Sequence, residues 1–338
     1  MKRSISCGAD ESSGSDVGIG SHADHPGYGT TEPKRRGKHT YNEDSRIAFD
    51  TRYDRWQLLA DGHGGSFSFS DFVVKRVTEI VLCATTTDLS NMSDFFVRIC
   101  YIVHTESLNP ELRLRGGTTF IMSCTNKITG KTYVANLGDS KCLIVRNGAI
   151  VFESKDLSAN NPSEQERMRS MRYARIRRDT RDGAIRLYAD YLATSGTMTT
   201  AGFGDFSQIR RGEDPMLRIP VISEIDLKVG DVILLASDGL FETLVGKMFK
   251  AEKDTTISAR DIADGLEQGV QNLAKFFLDR HEQYLAQQYR ECVDPDRQNY
   301  TDEQCLKAIR DVTDNKAVLV YVFALPVSVM CRNVSTSY

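Results

Sequence analysis

The segment ADGHGG, residues 60–65, carries the strongest signal of fold and function in this chain. It follows the apolar run WQLL, residues 56–59, which is typical of a buried β-strand. An Asp followed by Gly at the end of a strand directs a carboxylate into open space and lets a backbone carbonyl approach the same point. Acidic residues stand at strand boundaries in four more segments, NED at 42–44, LGDS at 137–140, ASDG at 236–239 and TDN at 313–315.

These five segments supply oxygen ligands of the kind that hard cations prefer. Carboxylates and carbonyls with few His or Cys neighbours suit Mg²⁺ or Mn²⁺. Two such ions about 3.5–4 Å apart can share a bridging hydroxide and clamp a phosphate. Each Asp-Gly taken alone is more often an ordinary turn. The residues therefore indicate a metal site, while their spacing leaves open whether the five segments meet.

Composition narrows the class of protein. The 338 residues include 43 Lys and Arg against 46 Asp and Glu, and a net charge of −3 gives no overall attraction to nucleic acid. No apolar run approaches the roughly 20 residues of a membrane span. The eight cysteines form no C-x-x-C pair, which favours reduced thiols, and residues 1–15 contain no apolar core of a secretory signal. We expect a cytoplasmic or nuclear monomer that binds neither nucleic acid nor membrane.

The spacing of apolar residues predicts groups of strands interspersed with helices. Asn147-Gly148 between two apolar runs is a strong hairpin signal, and Ser93 is expected to cap the second helix. Two groups of strands with helical segments beside them predict two sheets with helices packed outside. The predicted strands cover residues 47–49, 56–60, 118–124, 132–136, 141–145, 149–153, 217–225, 232–236 and 317–323, and the predicted helices cover 69–83, 93–107, an exposed Arg-rich insertion at 161–188 and about 258–288.

The acidic segments also occur in the order of a known family. Residues 60–65 resemble the D-G-H-G-G signature of the metal-dependent serine/threonine protein phosphatases, type 2C (PPM family). The other motifs follow in sequence, with GGTT at 116–119 at the start of a small-residue strand, VANLGDSK at 134–141 similar to A-N-x-G-D-S-R, LASDGLFE at 235–242 similar to A-S-D-G-L-W-D, and Asp314-Asn315 similar to the closing D-N.

The resemblance covers about residues 34–325 and implies a fold. That fold is of the α+β class, a central β-sandwich of two antiparallel sheets flanked by helices on both sides (α-β-β-α), with a flap insertion at about 161–212. Residues 1–33, rich in Gly, Ser, Asp and His, are then an N-terminal tail, and residues 326–338 a C-terminal one.

The resemblance further implies a hydrolase that removes phosphate from phosphoserine and phosphothreonine in proteins. In it, Asp61 bridges two Mg²⁺ or Mn²⁺ ions, which make hydroxide available near neutral pH. His63 protonates the departing Ser or Thr oxygen, since an imidazole titrates near ~6.5. The implied metal ligands are Asp61, Asp238, Asp314 and the Gly62 carbonyl, with Glu43 and Asp44 acting through bound waters and Asp139 joining Asp238 at a weaker third metal position.

Two departures from the family pattern affect substrate capture. The family has an arginine four residues before the acidic pair, which grips the substrate phosphate, and here that position is His39. Lys38 or Arg36 could reach the phosphate instead, so we expect weaker phosphate binding. The flap motif L-A-V-S-R-A-x-G-D is replaced by LATS at 192–195, an insertion at 196–201 and GFGD at 202–205.

Further along the chain, Glu242 stands where the family has Asp. The Arg-rich segment 167–186 fits either a docking surface for acidic or phosphorylated substrates or a solvated helix face. An active phosphatase is the leading hypothesis, because the acids Asp61, Asp238 and Asp314 would be costly to bury together without a cation. The alternatives are an inactive pseudophosphatase acting as a regulatory binding module, and a hydrolase of small phosphorylated metabolites.

Overall fold

The protein is represented by a computed structural model that describes residues 28–30, 34–36, 39–41, 43–64, 67–85, 89–180, 183–240, 264–265, 273–288, 301, 303–304 and 317–323. Several predicted features lie outside the described residues, namely Lys38, Glu242, Asp314, Asn315, the tail predicted at 326–338 and much of the helical segment predicted at 258–288.

The first sheet consists of five antiparallel strands. Its central strands are buried on both faces, with side chains alternating between a helix-facing layer and the interior of the sandwich. On one strand, Trp56 and Leu58 face the helices whereas Leu59 faces the other sheet. In spatial order the strands are β15 (Val221–Asp226), β9 (Lys131–Leu137), β8 (Phe120–Asn126), β5 (Asp54–Ala60) and β4 (Ser45–Asp50).

The second sheet is also five-stranded and antiparallel. The predicted hairpin turn is confirmed, since Asn147 and Gly148 have φ values of 50° and 76°, the left-handed conformation that such a turn requires. In spatial order the strands are β1 (Tyr28–Thr30), β17 (Ala317–Val322), β16 (Val232–Ala236), β10 (Lys141–Arg146) and β11 (Ala149–Glu153). Strand β1 precedes residue 34, the predicted start of the folded domain.

Helices lie on both sides of the paired sheets. Ile121 from the first sheet packs with Ile144 and Leu235 from the second, which makes the interface between the sheets apolar. Helices α1 (Phe67–Leu82) and α2 (Met92–Ser107) pack on the outer face of the first sheet, and α4 (Leu273–Gln288) contacts β1 and β17 of the second. The predicted α-β-β-α sandwich is confirmed. Among the helices described, none is both long and apolar enough to cross a bilayer.

The start of α2 differs from the prediction. Asn91, rather than Ser93, caps the helix: its backbone is extended, and its side-chain oxygen accepts a hydrogen bond from the Asp94 N–H at 3.2 Å. An Asn at this position satisfies one of the free N–H groups of the first turn, which is why the helix begins at Met92.

The insertion predicted as an exposed helix at 161–188 is helical only in its first part and continues as paired strands. Only α3 (Pro162–Arg169) is helical, and it is followed by the paired strands β12 (Arg175–Arg178) and β13 (Ile185–Tyr188). Ile176 and Leu187 pair across the hairpin and pack into a small apolar cluster. This long-range packing overrides the helical propensity of the arginines, and the helical prediction was therefore wrong after Arg169.

Candidate active site

Two of the acidic segments meet at one end of the first sheet. Ser45 at the start of β4 pairs with Ala60 at the end of β5, so Asp44 and Asp61 both lie just beyond this edge. The Gly62 N–H donates to the Glu43 carbonyl at 3.1 Å. A Cβ at Gly62 would lie 2.3 Å from that carbonyl oxygen, so only glycine permits this approach.

The second sheet brings two more acidic segments to the same end of the sandwich. Lys141, which begins β10, pairs with Ala236, which ends β16. Asp139, two residues before β10, and Asp238, two residues after β16, therefore both lie just beyond this edge of the second sheet. The Ser237 hydroxyl donates to Asp44 Oδ2 at 3.1 Å, which joins the two sheets directly. Four of the five acidic segments therefore converge.

The backbone around Asp61 is held by two neighbouring threonines. Its carbonyl accepts hydrogen bonds from the Thr119 N–H and the Thr118 hydroxyl, both at 2.9 Å. Thr119 Oγ1 in turn lies 2.8 Å from the Ser140 hydroxyl, beside Asp139. Because these hydrogen bonds fix the backbone of Asp61, they also fix the point from which its side chain extends.

A three-stranded sheet of short strands carries the histidine. It consists of β14 (Phe203–Gly204), β7 (Gly117–Thr118) and β6 (Gly62–His63), in that order. His63 Nε2 lies 2.7 Å from Asp205 Oδ2. Burial by itself would lower the pKa of His63, but the nearby charges of Asp205, Asp139 and Glu43 together raise it to about 9. A bound cation beside these acids would oppose that rise.

The acids at this end fit hard divalent cations better than softer ones. Asp44 and Asp139 are buried, and their charges in a region of low dielectric favour a compensating cation. Carboxylate oxygens together with the Gly62 carbonyl form the donor set that Mg²⁺ and Mn²⁺ prefer. In the part of the chain described, no three His, Cys, Asp or Glu side chains are grouped closely enough to hold an ion. The ligand set, which includes Asp314, therefore stays a prediction.

Two of the three predicted phosphate-binding residues, Arg36 and His39, lie on a separate pair of short antiparallel strands. Strands β2 (Lys34–Arg36) and β3 (His39–Tyr41) pair so that Arg36 stands opposite His39. Both positions lie only a few residues before Glu43 along the chain. Their roles toward phosphate stay predictions.

Sequence reasoning missed Asp205 as a site residue. The signal was present, because Gly204-Asp205 ends the segment GFGD that corresponds to the last residues of the family's flap motif. Nothing local to that segment shows that it contacts His63, which lies 142 positions earlier. The contact arises only when β14 pairs with β7 and β7 pairs with β6.

The Arg-rich segment is largely occupied by contacts within the flap. Arg177 donates to the carbonyls of Tyr191 and Ala193 and lies 4.0 Å from the centre of the Tyr188 ring. Arg167 pairs with the buried Glu164, and Arg186 lies 3.3 Å from the Asp179 carboxylate. These three arginines hold the flap together, whereas Arg169 pairs with Glu166 on an exposed face of α3.

Comparisons with known proteins identify the family. The family profile "Protein phosphatase 2C" matches residues 36–248, which is more than half of the chain. The chain is similar to "Probable protein phosphatase 2C 72" of Arabidopsis thaliana, with 24% identity over 268 residues, covering 71% of this chain and 79% of that protein. It is also similar to "Probable protein phosphatase 2C 2" of Paramecium tetraurelia, with 25% identity over 218 residues, covering 61% and 70%.

Solved structures share the fold. A phosphatase from Toxoplasma gondii has a TM-score of 0.59 at 14% identity, covering 88% of this chain and 91% of that one. The S. agalactiae serine/threonine phosphatase has a TM-score of 0.51 at 19% identity, covering 88% and 98%. At such identities the likeness shows the fold alone, and the family profile decides membership. The chain belongs to the protein phosphatase 2C family of serine/threonine protein phosphatases.

Proposed function

We propose that this chain is an active phosphatase that uses Mg²⁺ or Mn²⁺ to hydrolyse phosphoserine and phosphothreonine in proteins. The observation that carries the proposal is the convergence of acidic segments from both sheets at one end of the sandwich, linked by the hydrogen bond between Ser237 and Asp44. Two of these acids, Asp44 and Asp139, are buried, and a bound cation would offset the cost of burying their charges, which supports retained metal chemistry.

The predicted site residues have distinct proposed tasks. Asp61, Asp238, Asp314 and the Gly62 carbonyl would hold the ions, which supply charge opposite the phosphate and a hydroxide nucleophile near neutral pH. His63 would give a proton to the departing Ser or Thr oxygen. Arg36 and His39, with Lys38, would contact the substrate phosphate; without the family's arginine fork, this contact is weaker.

The test is release of phosphate from a phosphothreonine peptide with added Mn²⁺ or Mg²⁺. We expect turnover by the wild type and none by Asp238→Asn. Asp226→Asn is the matched control, because Asp226 is an exposed acid at the end of β15 and lies outside the proposed site. Wild-type turnover no higher than that of Asp238→Asn would contradict the proposal.

A regulatory module without activity is the second candidate, and a specific observation favours it. His39 stands in place of the phosphate-gripping arginine, and the flap motif is rewritten. This candidate predicts Mn²⁺ binding by calorimetry without turnover of any phosphopeptide. Faster turnover of small phosphomonoesters than of phosphopeptides would instead favour a metabolite phosphatase.

A further inference from the structure

We infer that Asp205 is a positioning residue for His63: its carboxylate holds the imidazole by Nε2 and leaves Nδ1 to give the proton to the leaving oxygen of the substrate. This inference rests on the proposed function, because it deepens the role of His63 in the same site. It adds a residue from the flap to the catalytic arrangement.

The geometry of the pair supports this role. His63 Nε2 and Asp205 Oδ2 are 2.7 Å apart, a short distance typical of a charge-assisted hydrogen bond. The Asp205 side chain is only 10% exposed, whereas that of His63 is 31% exposed, so the carboxylate lies behind the ring and the ring reaches solvent. A carboxylate bonded to one ring nitrogen fixes the tautomer and the plane of the imidazole.

Asp205 is itself held firmly by the short sheet. Its N–H donates to the Gly116 carbonyl at 2.8 Å, and its φ of 51° places it in the left-handed region, which Asp tolerates better than most residues. Gly117 leaves room for the pair, because a Cβ there would lie 2.3 Å from Asp205 Oδ2 and 2.8 Å from His63 Nε2. The contact is therefore built into the backbone.

The second ring nitrogen is the one available for chemistry. Considering only the described residues, the bond to Asp205 is the single hydrogen bond of the His63 ring, which leaves Nδ1 for the substrate. As the new P–O bond forms and the old P–O bond breaks, the leaving oxygen takes the Nδ1 proton. The ring ends neutral, with its remaining proton on Nε2 shared with Asp205.

This role predicts that the effect of Asp205 depends on the leaving group. A Ser or Thr alkoxide leaves poorly without a proton, whereas nitrophenolate leaves readily without one. We expect Asp205→Asn to lower kcat for a phosphothreonine peptide by about 10- to 100-fold, while kcat for p-nitrophenyl phosphate falls by less than about 3-fold. The KM values and the Mn²⁺ concentration for half-maximal activity should not change.

Asp231→Asn is the control for general destabilisation. Asp231 is a buried carboxylate at the opposite end of the sandwich, and its replacement should leave the ratio of the two rates unchanged.

A double mutant separates positioning from a structural role. If Asp205 acts through His63, Asp205→Asn should have no further effect on the phosphopeptide rate in a His63→Gln background. Asp205→Glu keeps a carboxylate and should retain more phosphopeptide activity than Asp205→Asn. It provides a second test if the Asn variant folds poorly.

The outcomes distinguish the inference from the proposed function. A wild type that is inactive on both substrates contradicts the proposed function. An active wild type whose Asp205→Asn variant loses both rates equally, or requires more Mn²⁺, overturns the inference alone. Additive losses in the double mutant overturn it as well.

Discussion

The Ser237 hydroxyl donates a 3.1 Å hydrogen bond to Asp44 Oδ2, across 193 positions of sequence. Ser237 follows the last residue of β16 in one sheet, and Asp44 precedes the first residue of β4 in the other. The bond therefore connects the two halves of the sandwich at the end where the described acidic segments meet. Both side chains are buried, so water does not compete for the bond.

Replacing Ser237 with alanine should weaken metal binding. Without its hydroxyl partner Asp44 is less well oriented, and a lost partner of this kind costs about 10-fold in metal affinity. Mn²⁺ should raise the unfolding temperature of the wild type, and Ser237→Ala should need about 10-fold more Mn²⁺ for the same rise. Ser123→Ala is the control, since Ser123 donates to Gln57 within the first sheet, away from the site. Equal Mn²⁺ dependence of the two variants would contradict the role given to Ser237.

The Thr118 hydroxyl should matter for both stability and metal binding. Thr118→Val keeps the shape but removes the donor to the Asp61 carbonyl, which should lower the free energy of unfolding by about 1 kcal/mol. Thr125→Val is the matched control, because it removes a buried hydroxyl contact to Thr132 elsewhere in the first sheet. Urea unfolding should show similar losses for both, whereas only Thr118→Val should raise the Mn²⁺ requirement for phosphopeptide turnover. An unchanged Mn²⁺ requirement in Thr118→Val would contradict the proposal that the Thr118 hydroxyl holds the backbone of Asp61 in place for metal binding.

Gly117→Ala should disrupt the His63–Asp205 pair. The added methyl would lie too close to both side chains, and even a small displacement of reacting groups can cost about 100-fold in rate. We expect kcat for a phosphothreonine peptide to fall by about 10- to 100-fold. Gly212→Ala serves as the control: it meets no atom within 4 Å and costs only backbone strain at φ 82°. Full activity of a folded Gly117→Ala variant would contradict the prediction that catalysis requires the close contact between His63 and Asp205.

Asp231 should make the fold sensitive to acid. Burial by itself raises the pKa of Asp231, but the Arg146 guanidinium at 2.6 Å and the Lys228 N–H hold it below its ordinary value. A carboxyl whose pKa is lowered by folding stabilises the protein above its unfolded pKa of about 3.9, and this contribution is lost as the pH falls through the folded value. At pH 7, Asp231→Asn should lower the free energy of unfolding by roughly 2 kcal/mol.

That difference should shrink as the pH is lowered below about 4, where the wild type also loses the charge. Urea unfolding across a pH series measures it, with Asp226→Asn as the exposed control. A difference that stays constant down to pH 2 would contradict the ion-pair explanation.

The sandwich and the acidic ends of its strands were predictable from the sequence. Strands such as β11 and β16 have the predicted bounds, because apolar runs between turn residues have few other solutions in an antiparallel sheet. The ordered motifs predicted which acids belong together, and the pairing of Lys141 with Ala236 and of Ser45 with Ala60 brings the described ones to one edge.

The flap and its contacts were less predictable, for a physical reason. The hairpin of β12 and β13 is stabilised because Ile176 and Leu187 pack against an apolar cluster that includes Met216. Arginines surround these two apolar residues in the sequence, so the strands lack a recognisable alternation of apolar and polar residues. Asp205 is similar, since its partner is far away in sequence and only the pairing of short strands brings them together. Both depend on tertiary packing that local spacing does not report.

The most direct test of metal-dependent catalysis at Asp61 is the Mn²⁺ dependence of phosphopeptide hydrolysis by the wild type and by Asp61→Asn. We expect phosphate release that rises with Mn²⁺, stops when a chelator is added, and falls by about 1,000-fold or more in Asp61→Asn, whose metal-free unfolding temperature stays close to that of the wild type. Turnover by Asp61→Asn at the wild-type rate, or a wild type that binds Mn²⁺ and releases no phosphate, would contradict this expectation.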